Sequence, residues 1–128
     1  MQILDKINIS LGTISIQEEG ILRFDIDSVD EITLQNLKEH LEVVKALGNG
    51  KSFCNLVVLT KFIQVGDDAR KFAASKDSNM YTLADAFVIN SVALKIVGNF
   101  YIRYNKPVRP TRLFTDESEA LRWLRTFL

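Results

Sequence analysis

Few side chains in this sequence are suited to nucleophilic or metal chemistry. The single imidazole is His40 and the single thiol is Cys54. His40 falls within a helical pattern, where we expect it on the helix surface, and Cys54 falls within an apolar run, where we expect a small core residue. One histidine and one cysteine do not supply the tetrahedral ligand set of a zinc site. We therefore predict no metal, no cofactor and no catalytic residue, so an enzyme is the least expected class.

Acidic residues occur in pairs at two places, and both pairs have simple structural explanations. Asp25 and Asp27 lie two apart in a predicted strand, so both side chains point to its outer face. Asp67 and Asp68 begin a predicted short helix, where the helix dipole favours acidic side chains. The sequence has no G-x-S-x-G elbow, P-loop or G-x-G-x-x-G motif. These observations favour a binding module over a catalyst.

Polar residues follow the predicted parallel strands, at the edge where open α/β sheets bind ligands. Thr60, Ser91 and Thr115 occupy such positions next to predicted helix starts. Together with Asp67 and Asp68 they form a candidate edge for an anion or another ligand, because backbone N–H groups at a helix start can bind one. The same residue types are ordinary helix caps, and that interpretation is favoured.

The hydrophobic pattern predicts how the first elements position these side chains. Apolar residues alternate with polar ones from Ile7 to Ile16, with a change of phase at Gly12 that predicts a bulge or bend in one strand. A second strand follows Gly20 and completes a hairpin. Ser28 or Asp30 is expected to cap the first helix, which ends near residue 48.

Strands and helices then alternate through the rest of the sequence. The nearly unbroken apolar run at 53–59 is typical of a central strand, and residues 86–89 and 112–114 are predicted as further strands. Asp67 begins a short helix, Ser91 caps a long one that ends near Tyr104, and Thr115 or Asp116 caps the last. The prediction is one α/β domain over residues 1–128, with a mixed sheet of about five strands and four helices in the order ββαβαβαβα.

The predicted third helix is apolar over two stripes. We expect the first stripe to pack on the sheet; it contains Ala93, Ile96, Val97, Phe100 and Tyr104. The second stripe must be buried elsewhere, and Gly98 beside it leaves room for close approach. A basic segment without any acid runs from residue 95 to 112. Combining the second stripe with this segment gives a predicted interaction surface of Leu94, Gly98, Tyr101, Ile102, Arg103, Lys106, Arg109 and Arg112.

Composition limits the classes of partner. The 128 residues are 47% apolar and 25% charged, and the formal net charge is zero, so no general attraction to nucleic acid is expected. A lone cysteine fits a reducing compartment. The sequence shows neither a signal-peptide pattern nor an apolar run long enough to cross a membrane. We therefore expect a cytoplasmic protein without a transmembrane segment.

The last third of the sequence resembles a known family. A-F-V-I-N-S at 86–91, the long helix, and R-L-F-T-D-E-S-E-A-L-R-W-L at 112–124 are similar to the end of bacterial STAS/SEC14-like proteins, in which an F-x-D/E-x-x-x-A-x-x-W-L pattern closes the domain. The resemblance implies the SpoIIAA-like fold, a mixed sheet with helices mainly on one side. It also implies a regulatory or binding role.

The best-known members of that family are antagonists in sigma-factor regulation that are controlled by phosphorylation. Their switch serine lies in a D-S-S-G-type turn, which corresponds here to the segment at 56–69, and the switch position falls on Asp67 or Asp68. No serine or threonine occupies this turn. The resemblance therefore implies an atypical member that lacks the phosphorylatable serine.

These observations lead to one expected function and one alternative. We expect a non-catalytic STAS-type regulatory or protein-interaction module that binds a protein partner or a second copy of itself as a homodimer. The alternative is a carrier of a small molecule or lipid, which the SEC14-like side of the resemblance allows. A carrier requires an apolar cavity beside Leu94, Tyr101 and Trp123.

Overall fold

A computed structural model describes residues 6–78 and 80–128 of the chain. Strands and helices alternate along most of these residues. The strands within these residues are β1 (Ile7–Ile9), β2 (Gly12–Glu18), β3 (Ile21–Ile26), β4 (Glu31–Ile32), β5 (Phe53–Leu59), β6 (Gln64–Val65), β7 (Thr82–Val88) and β8 (Thr111–Phe114). The α-helices are α1 (Leu34–Gly48), α2 (Asp67–Ala74), α3 (Val92–Phe100) and α4 (Glu117–Arg125). A π-helical turn, Tyr101–Asn105, continues α3.

The main sheet is mixed, as predicted. Its strand order within the described residues is β1-β2-β3-β5-β7-β8. Strands β1, β2 and β3 are antiparallel neighbours, whereas β3, β5, β7 and β8 pair in parallel through helical crossovers. The predicted α/β class and its four helices are confirmed, and the main sheet has six strands where about five were expected.

The change of apolar phase at Gly12 marks the start of a second strand after a hairpin turn, so the predicted single strand with a bulge or bend is wrong. Ile7 pairs with Ile14 and Ile9 pairs with Gly12, which makes β1 and β2 two antiparallel strands. Gly12 has φ of +154°, and a Cβ atom there would lie 1.9 Å from the backbone oxygen of Asp25. Only glycine fits this position, because both the backbone angle and the contact exclude a side chain.

The first helix begins later than predicted. Thr33 is its N-cap: the Thr33 hydroxyl accepts a hydrogen bond from the Asn36 amide, and the Asn36 side-chain oxygen accepts one from the Thr33 amide. The predicted caps Ser28 and Asp30 lie before β4, a two-residue strand that pairs in parallel with β6. Strands of two residues leave almost no periodic pattern in a sequence, which is why β4 and β6 were not predicted.

The sheet is covered on both faces. All seven residues of β5 are buried, as predicted for a central strand. Helices α1, α2 and α3 cover one face, whose core contains Phe24, Val57 and Leu94. Helix α4 covers the other face, where Leu124 and Ala120 pack among buried side chains of β5 and β7. The face beneath α1–α3 is the one that carries the polar site described next.

Candidate functional site

A cavity of about 160 Å³ lies between the sheet and helices α1, α2 and α3. Its walls are mainly apolar and include Phe24, Val57, Phe87, Leu94, Val97 and Leu113. Several polar side chains interrupt this lining. They include His40, Asn55, Arg70, Asp85, Tyr101 and Arg109.

Two of these polar side chains come from neighbouring central strands. Asn55 of β5 is paired with Asp85 of β7, so the two side chains lie side by side on the cavity face of the sheet. Asn55 is 4% exposed and Asp85 is also 4% exposed. The Asn55 Nδ2 atom donates a hydrogen bond of 2.7 Å to Asp85 Oδ1 and a longer one of 3.3 Å to the Thr82 hydroxyl. A carboxylate is therefore buried in the middle of the domain.

Arg109 neutralises that carboxylate. Its Nε atom lies 2.7 Å from Asp85 Oδ2, and the exposed fractions of the two side chains are 11% and 5%. The Arg109 Nη2 atom donates to the Ala73 backbone oxygen at 3.0 Å and to the Ser78 hydroxyl at 3.2 Å. We call Asn55, Asp85 and Arg109 the buried polar cluster. Its hydrogen bonds link the segment before β8 to the central strands β5 and β7 and to α2.

Two atoms of the buried polar cluster have no hydrogen-bond partner within the described residues. They are Asn55 Oδ1, an acceptor, and Arg109 Nη1, a donor. Buried polar atoms are normally paired, and leaving one unpaired costs about 1–3 kcal/mol. Both belong to residues that line the cavity. The cluster is thus charge-neutral but retains one free acceptor and one free donor.

Burial keeps His40 and Tyr101 uncharged beside this cluster. The His40 ring packs edge-on against Phe24 with centroids 4.4 Å apart. Burial, with a smaller contribution from the charge of Arg109, lowers the pKa of His40 to about 4. Burial and then the charge of Asp85 raise the pKa of the Tyr101 hydroxyl, while Arg109 opposes the rise. The expected placement of His40 on the helix surface is wrong, because this residue lines the cavity.

Cys54 lies on the other side of the sheet. It is fully buried under α4, as predicted for a small core residue, and its Sγ atom lies 3.6 Å from the Leu124 backbone oxygen. Burial, followed by the charge of Asp85, raises the pKa of its thiol to about 11. A protonated thiol under α4 is a poor nucleophile and does not meet His40 across the sheet.

Half of the predicted interaction surface faces inward. Leu94 is 3% exposed, and Leu94, Gly98, Tyr101 and Arg109 all line the cavity, so their expected placement on a contact surface is wrong. A Cβ atom at Gly98 would lie only 2.7 Å from a methyl carbon of Leu113. Gly98 therefore lets α3 pack closely against β8. The remaining predicted residues lie outside: Ile102 is partly exposed, and Arg103, Lys106 and Arg112 are exposed.

A different set of apolar side chains is exposed along α3 and the segment after it. Their exposed fractions are 75% for Val92, 66% for Ile96, 46% for Phe100, 62% for Tyr104 and 63% for Val108. We call these five residues the exposed stripe. The expected packing of Ile96, Phe100 and Tyr104 on the sheet is thus wrong, because Leu94, Val97 and Tyr101 occupy that side of the helix.

The exposed stripe has an aromatic centre. The rings of Phe100 and Tyr104 are stacked, with centroids 4.9 Å apart and an angle of 13° between their planes. The Arg70 guanidinium lies 5.0 Å from the centre of the Phe100 ring. This arrangement combines a flat apolar surface with an adjacent cation, which is a common composition for protein contact sites.

The predicted ligand edge consists of exposed residues with local structural roles. The Ser91 hydroxyl accepts a hydrogen bond from the Leu94 amide at 3.1 Å and caps α3. Asp67 forms ion pairs of 3.1 Å with Arg70 and with Lys71. These contacts agree with the interpretation of both residues as parts of helix starts.

The other three residues of the predicted edge are equally exposed. The Asp68 carboxylate accepts a hydrogen bond from the Ala69 amide, and the Thr60 backbone oxygen accepts one from the Asn90 side chain. Thr115 lies between β8 and α4. Within residues 6–78 and 80–128, no group of His, Cys, Asp or Glu side chains is arranged to hold a metal ion. The buried polar cluster is therefore the stronger candidate for a ligand site.

Two signals in the sequence point to the buried polar cluster. Asn55 interrupts the apolar run of β5, and Asp85 interrupts that of β7. A polar residue within a central strand requires a buried partner, so the two interruptions mark a polar site inside the core. Arg109 carries no comparable signal, because an arginine between two prolines is usually exposed.

No helix in the described part of the chain has both the length and the apolar character needed to span a membrane.

No curated protein matches the sequence. A crystal structure of a protein of unknown function from Arthrobacter sp. FB24 is 23% identical to it, with a TM-score of 0.32; the match covers 88% of this chain and 97% of that one. The sequence model of a family described as a domain of unknown function, DUF7793, matches residues 14–128. The chain therefore belongs to the DUF7793 family.

Proposed function

We propose that this protein is a non-catalytic regulatory module of STAS type that associates with a second copy of itself. The observation that carries the proposal is the exposed stripe, in which five large apolar side chains are exposed at intervals of four residues and two of them, Phe100 and Tyr104, stack on each other. Exposed apolar surface of this kind usually marks a contact site. No serine or threonine occupies the turn at Asp67 and Asp68, so the proposed control acts through association and not through a phosphoserine there.

The spacing of the stripe favours a second copy as the partner. Val92, Ile96, Phe100 and Tyr104 form one ridge along the i, i+4 direction of the helix, and such ridges pack into each other when two helices cross at about −50°. A two-fold axis near Phe100 would place the same surface on both subunits, as a symmetric dimer requires. Fully burying a side chain of this size contributes about 1.5–3 kcal/mol. Exposed Arg103 and Lys106 would lie at the rim of the contact.

Sedimentation velocity of the wild-type chain and two variants tests this function. We expect the wild type to form dimers, and Ile96→Glu to sediment as a monomer because it buries a charge within the contact. Lys95→Glu is the matched control: it introduces the same residue at the neighbouring exposed position, outside the stripe, and should leave the dimer intact. A wild type that stays monomeric at every concentration, or an Ile96→Glu variant that still dimerises, would contradict the proposal.

The cavity supports a second candidate, a carrier or sensor of a small molecule. Leu94 and Tyr101 line it, as a carrier requires, but Trp123 does not: its ring packs between Phe114 and Phe127 on the α4 side of the sheet. A volume of about 160 Å³ is close to that of a cavity that accepts benzene. We therefore propose a small molecule as the cargo and not a lipid acyl chain, which is far larger.

Native mass spectrometry of protein purified without organic solvent tests this second candidate. We expect a fraction of the molecules to carry an extra mass no larger than that of a one-ring compound, which denaturing conditions release. An extra mass equal to that of a phospholipid or fatty acid would contradict the proposed size limit.

A further inference from the structure

The two unpartnered atoms of the buried polar cluster define the chemistry of a ligand. We propose that the cavity binds a neutral one-ring molecule whose amide or hydroxyl group donates a hydrogen bond to Asn55 Oδ1 and accepts one from Arg109 Nη1. This inference rests on the small-molecule candidate above and goes beyond it, because it names the chemical class and the atoms that recognise it.

The existing hydrogen bonds fix which atoms remain free. The Asn55 amide nitrogen is held by Asp85 Oδ1 at 2.7 Å, so the amide oxygen of Asn55 is left as an acceptor. Arg109 uses Nε for Asp85 and Nη2 for Ala73 and Ser78, so Nη1 is left as a donor. A ligand that satisfies both atoms must offer one donor and one acceptor. Amides and hydroxyl groups do so.

The charges in the site favour a neutral ligand. Asp85 and Arg109 already neutralise each other across 2.7 Å. A bound carboxylate would face Asp85, and a bound ammonium would face Arg109. The other arginine that lines the cavity, Arg70, is already paired with Asp67 at 3.1 Å. Tyr101 stays protonated and His40 stays neutral, so neither supplies a compensating charge. Burying an uncompensated charge is far more costly than burying a neutral polar group.

The walls of the cavity define the remainder of the molecule. Phe24, Phe87 and Leu94 offer apolar surface, and the volume of about 160 Å³ admits a single ring. The ligand therefore combines a compact apolar body with one polar group at the end nearest Asn55 and Arg109. A buried water could satisfy the same two atoms without any ligand, and the experiment must separate these outcomes.

Titration of the 128-residue chain with three one-ring probes, monitored by two-dimensional NMR of the backbone amides, tests the inference. Benzamide carries the required donor and acceptor, toluene carries neither, and benzoate is an anion with acceptors only. We expect benzamide to bind about tenfold more tightly than toluene, since it adds two hydrogen bonds to the same apolar contact. Benzoate should bind more weakly than benzamide. The shifted amides should belong to β5, β7 and α3.

Two variants and a control locate the binding. Val97→Phe places a ring in the cavity and should abolish binding of benzamide and toluene, whereas Leu121→Phe, which adds the same ring under α4, should leave both unchanged. Asn55→Leu should reduce benzamide binding to the level of toluene. If Asn55→Leu does not fold, the comparison of probes on the wild type still decides the question.

Each outcome has a distinct meaning. Toluene binding as tightly as benzamide, or benzoate binding best, would overturn the assignment of a neutral amide or hydroxyl ligand while leaving a small-molecule cavity in place. The absence of binding by any probe would overturn this inference together with the small-molecule candidate, and would assign the two free atoms to buried water only.

Discussion

His40 is expected to make stability depend on pH. Its pKa is about 4 in the folded chain and about 6.5 when unfolded, so the unfolded state binds more protons between these values. Stability is therefore lost as the pH falls through this window, by about 2 kcal/mol between pH 7 and pH 5. Urea denaturation at a series of pH values measures the loss. His40→Gln should show a clearly smaller loss over the same range, and an equal loss in both proteins would contradict the assignment.

Replacing only one partner of the ion pair between Asp85 and Arg109 is expected to reduce stability strongly. Arg109→Met leaves the carboxylate of Asp85 buried without its cation, which should reduce the free energy of unfolding by about 3–5 kcal/mol. The double variant Asp85→Asn with Arg109→Met removes both charges and should recover part of that loss. Denaturant midpoints of the wild type and both variants provide the measurement. A double variant less stable than Arg109→Met alone would show that charge burial is not the cause.

The start of α1 gives a prediction at the level of a single element. Thr33→Ala removes a side chain that caps the helix, and should reduce stability by about 1 kcal/mol. Ser28→Ala is the matched control, because Ser28 is exposed and its hydroxyl donates to the neighbouring Asp27 carboxylate and not to a helix start. We expect that control to change stability by less than about 0.5 kcal/mol. Thermal unfolding monitored by circular dichroism compares the two variants. Equal losses of stability in both would contradict the assigned cap.

The elements differ in how far the sequence determines them. The buried run of β5, the cap of α3 at Ser91 and the start of α2 at Asp67 were all predicted, because each has a strong local pattern. The two-residue strands β4 and β6 were missed because they have no period to detect. The orientation of α3 was wrong for a different reason. Both of its sides are apolar, so hydrophobicity alone does not decide which one packs on the sheet.

Gly98 is the residue that settles the orientation of α3. With no side chain, it lets the helix approach Leu113 of β8, where a Cβ atom would be only 2.7 Å from the nearest methyl carbon. Its role as a point of close approach was predicted, but the partner was not, because the sequence does not say which surface lies opposite a glycine.

The cavity site was missed for a related reason: Asn55, Asp85 and Arg109 are far apart in sequence and meet only through strand pairing.

At the scale of the whole molecule, the sheet depends on α4 to cover one face. Deleting residues 116–128 would expose Cys54, Leu56, Ala84 and Ala86 together. We expect the shortened chain to lose cooperative thermal unfolding, since α4 is the helix that covers this core in the described part of the chain. Arg125→Ala is the control: it keeps the helix and removes only the exposed ion pair with Glu18, which should cost less than about 1 kcal/mol. A shortened chain that still unfolds cooperatively would contradict this dependence.

The position of α4 along the chain also affects how the protein folds during synthesis. Translation from the amino terminus completes all six strands of the main sheet before it reaches Glu117, where α4 begins. Until that helix leaves the ribosome, the nascent sheet has an uncovered apolar face, which is a surface that chaperones bind and that promotes aggregation. The native sheet is therefore expected to form late, after α4 has been synthesised.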